Sequence, residues 1–435
     1  MYQKPLLQKW IINLLILLGC AFTIVSAYPG FMSFDSLDQY TQAKNNVYVD
    51  WHPPFMAWLW NKFIHIKDGP EIMLVLFNLL YWFSIWVIAL KIRNFGLSLL
   101  FIALALSPSL INFIGVIWKD TFLFSLLFLQ CAILFAIKDI KIQAYKRHLI
   151  LASIIIINFV AILPRHNAIT ALVPLLILSF VVLYGKKRMF ITIIAGFLVA
   201  IALFFAGQKV NNTLCNNKHL HPEQQLMIFD LMGISQATNQ NLMPEYLKNK
   251  LPLDSIIRYY FYSSGGMYVI FSMHCNTSDP AKLKLLREAW ISAIKENPKA
   301  LLKHKYLVFE YLQSHSSLVT YNAIDPNVYG IVLKPNPIRN LFISYTEGEF
   351  AKAFYKAKYY TWICLITMIM SLVLIRKNSS FIYPFFISLS GLLYSLTYFL
   401  LSPTSDLRYN YWTIGAALIS SIFFINSFFD KQQKN

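Results

Sequence analysis

The sequence predicts an all-α protein that crosses a membrane about ten times. Only 13% of its 435 residues are charged and 57% are hydrophobic, whereas soluble domains carry about 25% charged residues. Apolar runs of roughly 17 to 22 residues recur along the chain, and about 20 residues are needed to span the hydrocarbon core. A bilayer is therefore the expected solvent for most of this chain.

The predicted spans follow these apolar runs in chain order, and the boundaries of the third and fourth are the least distinct. Each run forms a helix because a lipid-exposed backbone must satisfy its own hydrogen bonds. The ten predicted spans cover residues 10–27, 71–90, 97–113, 120–137, 148–163, 168–185, 189–206, 357–375, 381–401 and 410–428.

Lysine and arginine residues assign the two ends of these spans to opposite sides of the membrane. Short loops rich in these residues stay in the cytoplasm. Lysines and arginines before, between and after the spans all fall on one side, which is therefore the cytoplasmic side. Both termini are predicted to be cytoplasmic. The protein is predicted to lie in the cytoplasmic (inner) membrane. The residues in question are Lys4, Lys9, Lys91, Arg93, Lys138, Lys141, Lys146, Arg147, Lys186, Lys187, Arg188, Arg376, Lys377, Lys431 and Lys434.

The chain divides into three predicted parts. Two transmembrane modules flank a long polar stretch, which the helical patterns at 281–294 and 298–313 predict to be a small, mainly helical extracytoplasmic region. The parts are an N-terminal module at 1–206 with an acidic first outer loop at 28–70, the extracytoplasmic region at 207–356, and a C-terminal module at 357–435.

The net charge of +18 is explained by membrane topology and by anionic lipid headgroups. No basic stretch is interleaved with exposed stacking aromatics, so nucleic acid is not an expected partner. Of the five cysteines, only Cys215 and Cys275 fall in the long polar region. They could pair if that region faces an oxidising compartment, and the sequence leaves this open.

Acidic residues are scarce, 20 against 38 lysines and arginines, yet the first outer loop holds Asp35, Asp38 and Asp50 together with His52. Asp35 and Asp38 recur with Gln42 at helical spacing, which places both carboxylates on one face of a short interfacial helix. We therefore expect chemistry in this loop.

A second interfacial helix is predicted to begin at Pro53 and Pro54, because proline is tolerated in the first turn, where its missing N–H has no intrahelical partner. Its expected apolar stripe would lie in the membrane interface. That stripe consists of Phe55, Trp58, Leu59, Phe63 and Ile66.

Three further turns carry charge to the same face of the membrane. Ionisable groups at this depth are costly to bury and are by default functional or paired. We therefore expect these helix ends to converge with the first loop into one polar site. The turns contain Lys119 and Asp120, then Arg165 and His166, then Asp406, Arg408 and Tyr409.

These residues carry a resemblance to a known family. The first loop resembles that of GT-C glycosyltransferases, which are polytopic enzymes that use polyprenyl-phosphate-linked sugars, such as protein O-mannosyltransferases and lipid A aminoarabinose transferases. The Trp118-Lys119-Asp120, Arg165-His166-Asn167 and Asp406-to-Tyr409 motifs resemble those of poorly characterised bacterial members. The resemblance covers the membrane part and hardly touches 207–356. The first-loop motif is Asp35, Tyr40, Ala43, Asp50-Trp51, Pro53-Pro54 and Trp58-Leu59.

The resemblance implies an inverting enzyme that moves a hexose or pentose from a polyprenyl-phosphate donor to a glycan, lipid or protein acceptor outside the cytoplasmic membrane. Asp35 maps to the catalytic acidic residue and would act as general base. Many relatives have an Asp-Glu pair where this chain has Asp35-Ser36, which leaves Asp38 or Asp50 as the second acidic group.

The same resemblance assigns the remaining candidates. Cations would stabilise the phosphate that leaves, and polar groups would shape the acceptor side. No cofactor is required, although some relatives use a divalent metal, for which Asp35 and His52 are the candidate ligands. The phosphate-binding candidates are Lys119, Arg165, His166 and Arg408. The site-shaping candidates are Tyr40, Asp50, His52, Asp120, Asp406 and Tyr409.

Simpler interpretations stand beside these. Asp35 could cap a helix, and Arg165 and Arg408 could extend to lipid headgroups. At the level of the whole protein, one alternative is an O-antigen polymerase or ligase, which also has an outer-face site. The other is a transporter or flippase of lipid-linked sugars, although the charges lie at span ends and the halves are unlike.

Overall fold

The computed structural model describes residues 4–138, 140, 142–185, 189–263, 273–315 and 318–430. Across these ranges the regular secondary structure is helical, and the chain pairs in β fashion only at isolated bridges from Phe31 to Val116 and from Met32 to Ile324. The all-α prediction is confirmed. Part of the topology prediction lies outside the described residues, namely Lys141, Lys186, Lys187, Arg188, Lys431 and Lys434.

Within the described residues, nine helices are long and apolar enough to cross a membrane, or ten if a bent helix pair counts as one span. This range includes the predicted number of about ten, and the protein is a multi-pass membrane protein. Numbered along the chain, the spanning helices are α1 (Leu6–Ala27), α4 (Glu71–Lys91), the pair α5 (Phe95–Ala105) and α6 (Pro108–Ile114), α7 (Lys119–Ala136), α8 (Ala144–Ile162), α9 (Ile169–Tyr184), α10 (Met189–Leu214), α18 (Ala357–Leu374), α19 (Ile382–Leu401) and α20 (Tyr411–Phe429).

The third predicted span, 97–113, is not one straight helix. It breaks between α5 and α6, whose axes differ by 53°. Pro108 occupies the first turn of α6, and its missing N–H and the restricted residue before it end the preceding helix. Carbonyl groups at the break accept hydrogen bonds from two tyrosine hydroxyls, that of Tyr81 to Ala105 O at 2.6 Å and that of Tyr345 to Leu106 O at 3.1 Å.

Both predicted helices of the first loop are present, as α2 (Phe34–Asn45) and α3 (Phe55–Ile64). The predicted apolar stripe of α3 is only partly right. Trp60 on α3 is fully buried, whereas Ile66 lies beyond the helix and is 77% exposed. The reason is that α3 packs against α2, where the rings of Tyr40 and Trp60 lie 5.1 Å apart, and not only against the interface.

The polar region begins later than predicted, because α10 continues to Leu214. Its first part has a hydrophobic core of its own around Phe229 and Leu286, whereas Phe342 in its second part packs into the core of the helix bundle. Both predicted helices are found, as α14 and α15. The helices of this region are α11 (Glu223–Thr238), α12 (Glu245–Lys248), α13 (Leu253–Tyr259), α14 (Pro280–Glu296), α15 (Pro298–Ser314), α16 (Pro337–Glu347) and α17 (Glu349–Lys352).

Helix α7 runs through the centre of the bundle and is the most buried of the described spans. Its aromatic side chains stack on α20, where the ring of Phe124 lies 3.9 Å from that of Tyr411 and the ring of Phe135 lies 4.0 Å from that of Phe423. Aromatic pairs at such distances contribute specific packing beyond their buried area. This packing fixes the first turn of α7, which carries Lys119.

The two ends of the bundle differ in chemistry. At one end Asp430 binds Lys138 and also Arg93, whose Nε lies 3.2 Å from its carboxylate. The loops between the other helix ends gather at the opposite end. We call that end the site face. It carries residues 28–70, 115–118, 164–168 and 402–410.

Candidate functional site

A cavity of about 420 Å³ opens at the site face. Its walls come from the first loop, from the start of α7, from the turns before α9 and α20, and from α11 and α19. We call it the site cavity. It is lined by Asp35, Trp51, His52, Lys119, Arg165, Asn167, Gln225, Tyr398, Leu401, Pro403, Thr404, Asp406, Arg408 and Tyr409.

Asp35 lies in the first turn of α2 and forms an ion pair with Arg408, whose Nη1 is 2.7 Å from Asp35 Oδ2. The Nη2 of the same guanidinium lies 3.1 Å from Asp406. Its plane lies over the ring of Trp118, 4.7 Å from the centroid. Arg408 is thus held between two carboxylates and an aromatic face.

The charge state of Asp35 follows from its neighbours. Burial alone would raise the pKa of its carboxyl, but Arg408, the neighbouring ring of His52 and the charge of Lys119 together hold that pKa well below its usual value. An opposite charge within a few Å favours the ionised form. Asp35 is therefore an anion at neutral pH while Arg408 remains beside it.

His52 bridges Asp35 and Lys119. Lys119 Nζ lies 2.7 Å from His52 Nδ1, and His52 Nε2 lies 3.6 Å from Asp35 Oδ1. An ammonium can only donate, so Nδ1 accepts and the ring hydrogen sits on Nε2, towards the carboxylate. Burial and the charge of Lys119 lower the pKa of His52, against the opposite effect of Asp35. The ring is therefore neutral at pH 7.

Lys119 differs from the two arginines of the cavity in its partners. Among the described residues it forms no ion pair with a carboxylate, and its hydrogen-bond partner is the neutral ring of His52. Lys119 is partly buried, and an ammonium taken even partly out of water without a carboxylate partner loses hydration. Lys119 is accordingly the cation of this cavity best placed to gain from an anionic ligand.

Arg165 is fixed by a different set of contacts. Its Nη2 lies 2.6 Å from Asp120 Oδ1, and its Nη1 donates to the hydroxyl of Tyr398 at 2.8 Å. The guanidinium also lies over the ring of Tyr409, 5.1 Å from the centroid. Burial would lower the pKa of Arg165, but Asp120 raises it. Arg165 therefore places a permanent positive charge in the cavity wall.

The structure brings seven of the twelve predicted site residues to the cavity wall, and Asp120 joins them through Arg165. This convergence from distant parts of the chain is the arrangement expected from the helix ends. The seven are Asp35, His52, Lys119, Arg165, Asp406, Arg408 and Tyr409.

The other predicted residues lie outside the cavity wall. Asp38 accepts a hydrogen bond from Gln42 at 2.8 Å and lines a neighbouring cavity. The carboxylate of Asp50 lies 3.0 Å from Nδ1 of His219. The hydroxyl of Tyr40 donates to Asp68 at 2.6 Å, and the ring of His166 packs 6.3 Å from that of Phe204. The four residues share the predicted face but point to other partners.

Sequence reasoning missed cavity residues that carry no charge. Asn167 and Trp51 stood inside recognised motifs, but Tyr398 looked like one more aromatic residue of a span. Gln225 lies on α11, where no pattern indicated a site. Both Asn167 and Arg165 donate to the Tyr398 hydroxyl at 2.8 Å, so Tyr398 orients two cavity side chains. The sequence did offer one signal for Tyr398, namely an aromatic residue with a polar hydroxyl near the end of a predicted span.

The simpler interpretations of single residues are mostly wrong. Ser33, and not Asp35, occupies the N-cap position of α2, and no side chain caps that helix end. Arg165 and Arg408 do not extend to headgroups, because their side chains are only 11% and 14% exposed and each binds a carboxylate. Cys215 and Cys275 are both free thiols.

The site cavity offers a poor set of ligands for a divalent metal. Asp35 and His52 offer two donors, one carboxylate oxygen already binds Arg408, and Lys119 adds a second positive charge. In the part of the chain that the structure describes, no three histidine, cysteine, aspartate or glutamate side chains cluster in a way that could hold an ion. These residues do not fit a resident metal held by side chains alone, and metal dependence stays a prediction.

The cavity therefore combines two carboxylates, Asp35 and Asp406, with a histidine beside Asp35 and three cations. Such a set can accept a proton at one position and stabilise a developing anion at another. Comparisons of this chain with models of protein families, with curated proteins and with solved structures find no match.

Proposed function

We propose that this protein is an inverting, GT-C-type glycosyltransferase. It moves a hexose or pentose from a polyprenyl-phosphate carrier to a glycan, lipid or protein acceptor on the extracytoplasmic face of the cytoplasmic membrane. The observation that carries the proposal is the cavity in which Asp35 meets Lys119, Arg165 and Arg408. The resemblance of the first loop and the later turns to that superfamily supports it.

The cations suit a lipid phosphate. Arginine can grip a phosphate with two parallel hydrogen bonds, and lysine supplies a compact charge. Among the described residues Lys119 hydrogen-bonds to the neutral ring of His52 and pairs with no carboxylate, whereas Arg165 and Arg408 already bind carboxylates. The donor phosphate is therefore bound first by Lys119 and then by whichever arginine exchanges its carboxylate for it.

Asp35 is the proposed general base. Its carboxylate takes the proton of the acceptor hydroxyl, the acceptor oxygen bonds to the anomeric carbon, and the bond from that carbon to the phosphate oxygen breaks with its electron pair on the phosphate. Attack opposite the leaving group inverts the anomeric centre. The leaving phosphate is stabilised by the cations, which act where charge develops.

Donor binding also bears on the basicity of Asp35. A carboxylate paired with Arg408 is a weak base, because the ion pair holds its pKa well below the usual value. When the phosphate attracts Arg408, that constraint weakens and the pKa of Asp35 rises towards the range useful for proton transfer. The base is then most effective when the donor is in place.

The test is transfer of a radiolabelled monosaccharide from polyprenyl phosphate by the purified protein in proteoliposomes. Asp35→Asn is expected to abolish transfer while the protein still folds, and Asp68→Asn serves as a matched control, because Asp68 lies outside the cavity on an exposed pair with Lys44. Full transfer by folded Asp35→Asn protein contradicts the proposed mechanism.

An O-antigen polymerase or ligase is the second candidate, and the Asp35–Arg408 ion pair favours it. In such an enzyme Arg408 and Arg165 would activate the leaving group, and Asp35 would only position Arg408. The two candidates differ in donor. Transfer from an oligosaccharide carrier, with none from a monosaccharide carrier, identifies the polymerase or ligase.

A further inference from the structure

A second cavity, of about 270 Å³, lies beside the site cavity, and Trp51 lines both. We call it the side cavity. It lies between the first loop, which contributes Phe34 and Asp38, and the polar region, which contributes the segment 276–278. The proposed function leaves this cavity without a role.

The walls of the side cavity combine aromatic surface with polar groups. Phe34 is 70% exposed, and Trp51 provides a second ring. Among the described residues that line it, Asp38 is the only one with an ionisable side chain, and Gln42 Nε2 donates to its Oδ2 at 2.8 Å. None of these described lining residues is a lysine, an arginine or a histidine.

The polar wall is held in place by contacts behind it. Thr277 N donates to Gln224 Oε1 at 3.0 Å, and Gln224 Nε2 donates back to Thr277 O at 3.2 Å. The hydroxyl of Ser278 donates to His219 O at 3.2 Å, and Asp50 binds the same histidine and the following backbone N–H. A wall fixed before binding lowers the entropy lost when a ligand is bound.

We propose that the side cavity binds a neutral sugar ring of the acceptor, which makes the acceptor a glycan. This rests on the proposed function. A pyranose has an apolar C–H face that suits an aromatic ring and a rim of hydroxyls that suits carboxylate, amide and hydroxyl groups. The carboxylate of Asp38, with no cation among the described lining residues, disfavours a phosphate or other anion.

The size and position of the side cavity fit this ligand. Its volume is just below the range of about 300–1,000 Å³ typical of pockets for drug-sized ligands, so it holds a ring and not a folded domain. Asp35 and Asp38 lie one turn apart on α2, and Trp51 precedes His52 in the chain. A ring held here lies beside the site cavity, which Asp35 lines and which shares Trp51 with the side cavity.

The experiment measures binding of methyl hexosides and methyl N-acetylhexosaminides to the full-length protein in detergent by saturation-transfer NMR. We expect at least one of these neutral sugars to bind. Phe34→Ala and Phe34→Leu should weaken that sugar about five- to tenfold through loss of the aromatic face, and Phe34→Trp should restore it. Asp38→Asn should also weaken it, and hexose 6-phosphate should not bind in this cavity.

Val47→Ala is the matched control, since Val47 is a partly exposed apolar residue of the same loop that does not line the cavity. Its sugar affinity should equal that of the wild type. Sugar binding by none of the panel, or binding that survives Phe34→Leu and Asp38→Asn unchanged, overturns the inference.

Failure of this inference can be separated from failure of the proposed function. Binding of polyprenyl phosphate to the wild type is measured in parallel. If the lipid phosphate binds and no neutral sugar does, the side cavity is not an acceptor site and the donor site stands. If sugars bind as expected but folded Asp35→Asn protein transfers normally, the proposed mechanism fails while the sugar site stands.

Discussion

Arg408 Nη1 lies 2.7 Å from Asp35 Oδ2, although 373 residues separate the two along the chain. Both side chains are largely shielded from water, with exposures of 14% and 23%. The ion pair joins the start of α2 to the turn before α20, and it thereby closes the wall of the site cavity. While the pair is intact, neither the carboxylate of Asp35 nor the guanidinium of Arg408 is free to bind a ligand, so a ligand must separate them.

Asp35→Asn is therefore expected to tighten the binding of polyprenyl phosphate. The substitution removes the carboxylate that competes for Arg408, and Asp406, 3.1 Å from Nη2, still holds the guanidinium in place. We expect affinity to rise about three- to tenfold, since a tenfold change corresponds to about 1.4 kcal/mol. Equilibrium binding of the lipid phosphate to nanodiscs measures it, and weaker binding by a folded Asp35→Asn protein would show that Asp35 does not compete with the ligand.

Lys119→Met is expected to raise the pKa of His52, because the lysine charge is one cause of its low value, after burial. Below the usual histidine pKa of about 6.5, the unfolded chain binds a proton that the folded His52 does not, so the free energy of unfolding falls as the pH decreases. Lys119→Met should make that fall shallower. NMR titration measures the pKa of the His52 ring directly, and His52→Gln assigns the ring signals. An unchanged pKa in Lys119→Met would contradict the contact between Lys119 and His52.

Asp120→Asn is expected to destabilise the fold. It leaves Arg165 buried without its carboxylate, 2.6 Å away in the intact pair, and breaking a buried pair costs about 3–5 kcal/mol. The matched control is Asp68→Asn. The Asp68 side chain is 56% exposed in its pair with Lys44, such pairs contribute about 0–1 kcal/mol, and the asparagine keeps an oxygen that can accept the hydrogen bond from Tyr40. Thermal unfolding in detergent should separate the two variants clearly. Equal midpoints would mean that Arg165 finds another anion.

Lys305→Met is expected to loosen the loop at 402–406. Lys305 Nζ lies 2.6 Å from Asp230 Oδ1 and donates to Leu400 O at 2.7 Å, so it ties the core of the polar region to the end of α19. Hydrogen exchange in that loop should rise about tenfold or more, consistent with loss of a charged hydrogen bond of about 1.5–3 kcal/mol. Lys303→Met, an exposed lysine of the same helix, is the control and should leave exchange unchanged.

The spans were predictable because each depends on its own stretch of sequence. A run such as 410–428 is apolar wherever its neighbours lie, and the helix satisfies its backbone internally. The break between α5 and α6 shows the limit of this reasoning. Pro108 was visible in the sequence, but the apolar run continues through it, and hydropathy does not distinguish a straight helix from a bent pair.

The candidate site was predictable in part for a different reason. Lys119, Arg165 and Arg408 stand at helix ends, and alternation of the spans sends those ends to one face. Asp50 stands in the same loop as Asp35, yet its carboxylate binds His219 and the N–H of Leu220. Neither the partner nor the direction of that side chain can be inferred from position in the loop.

The amino-acid sequence by itself determined the solvent of each segment, and hence the spans, their alternation and the face on which the charged turns emerge. The tertiary structure alone decided which of those charges meet. Asp35 pairs with Arg408, and Asp120 with Arg165, because helices distant in the chain pack side by side. Hydrophobicity is a property of each residue and its near neighbours, whereas an ion pair requires two side chains to be placed within a few Å by the packing of the whole bundle.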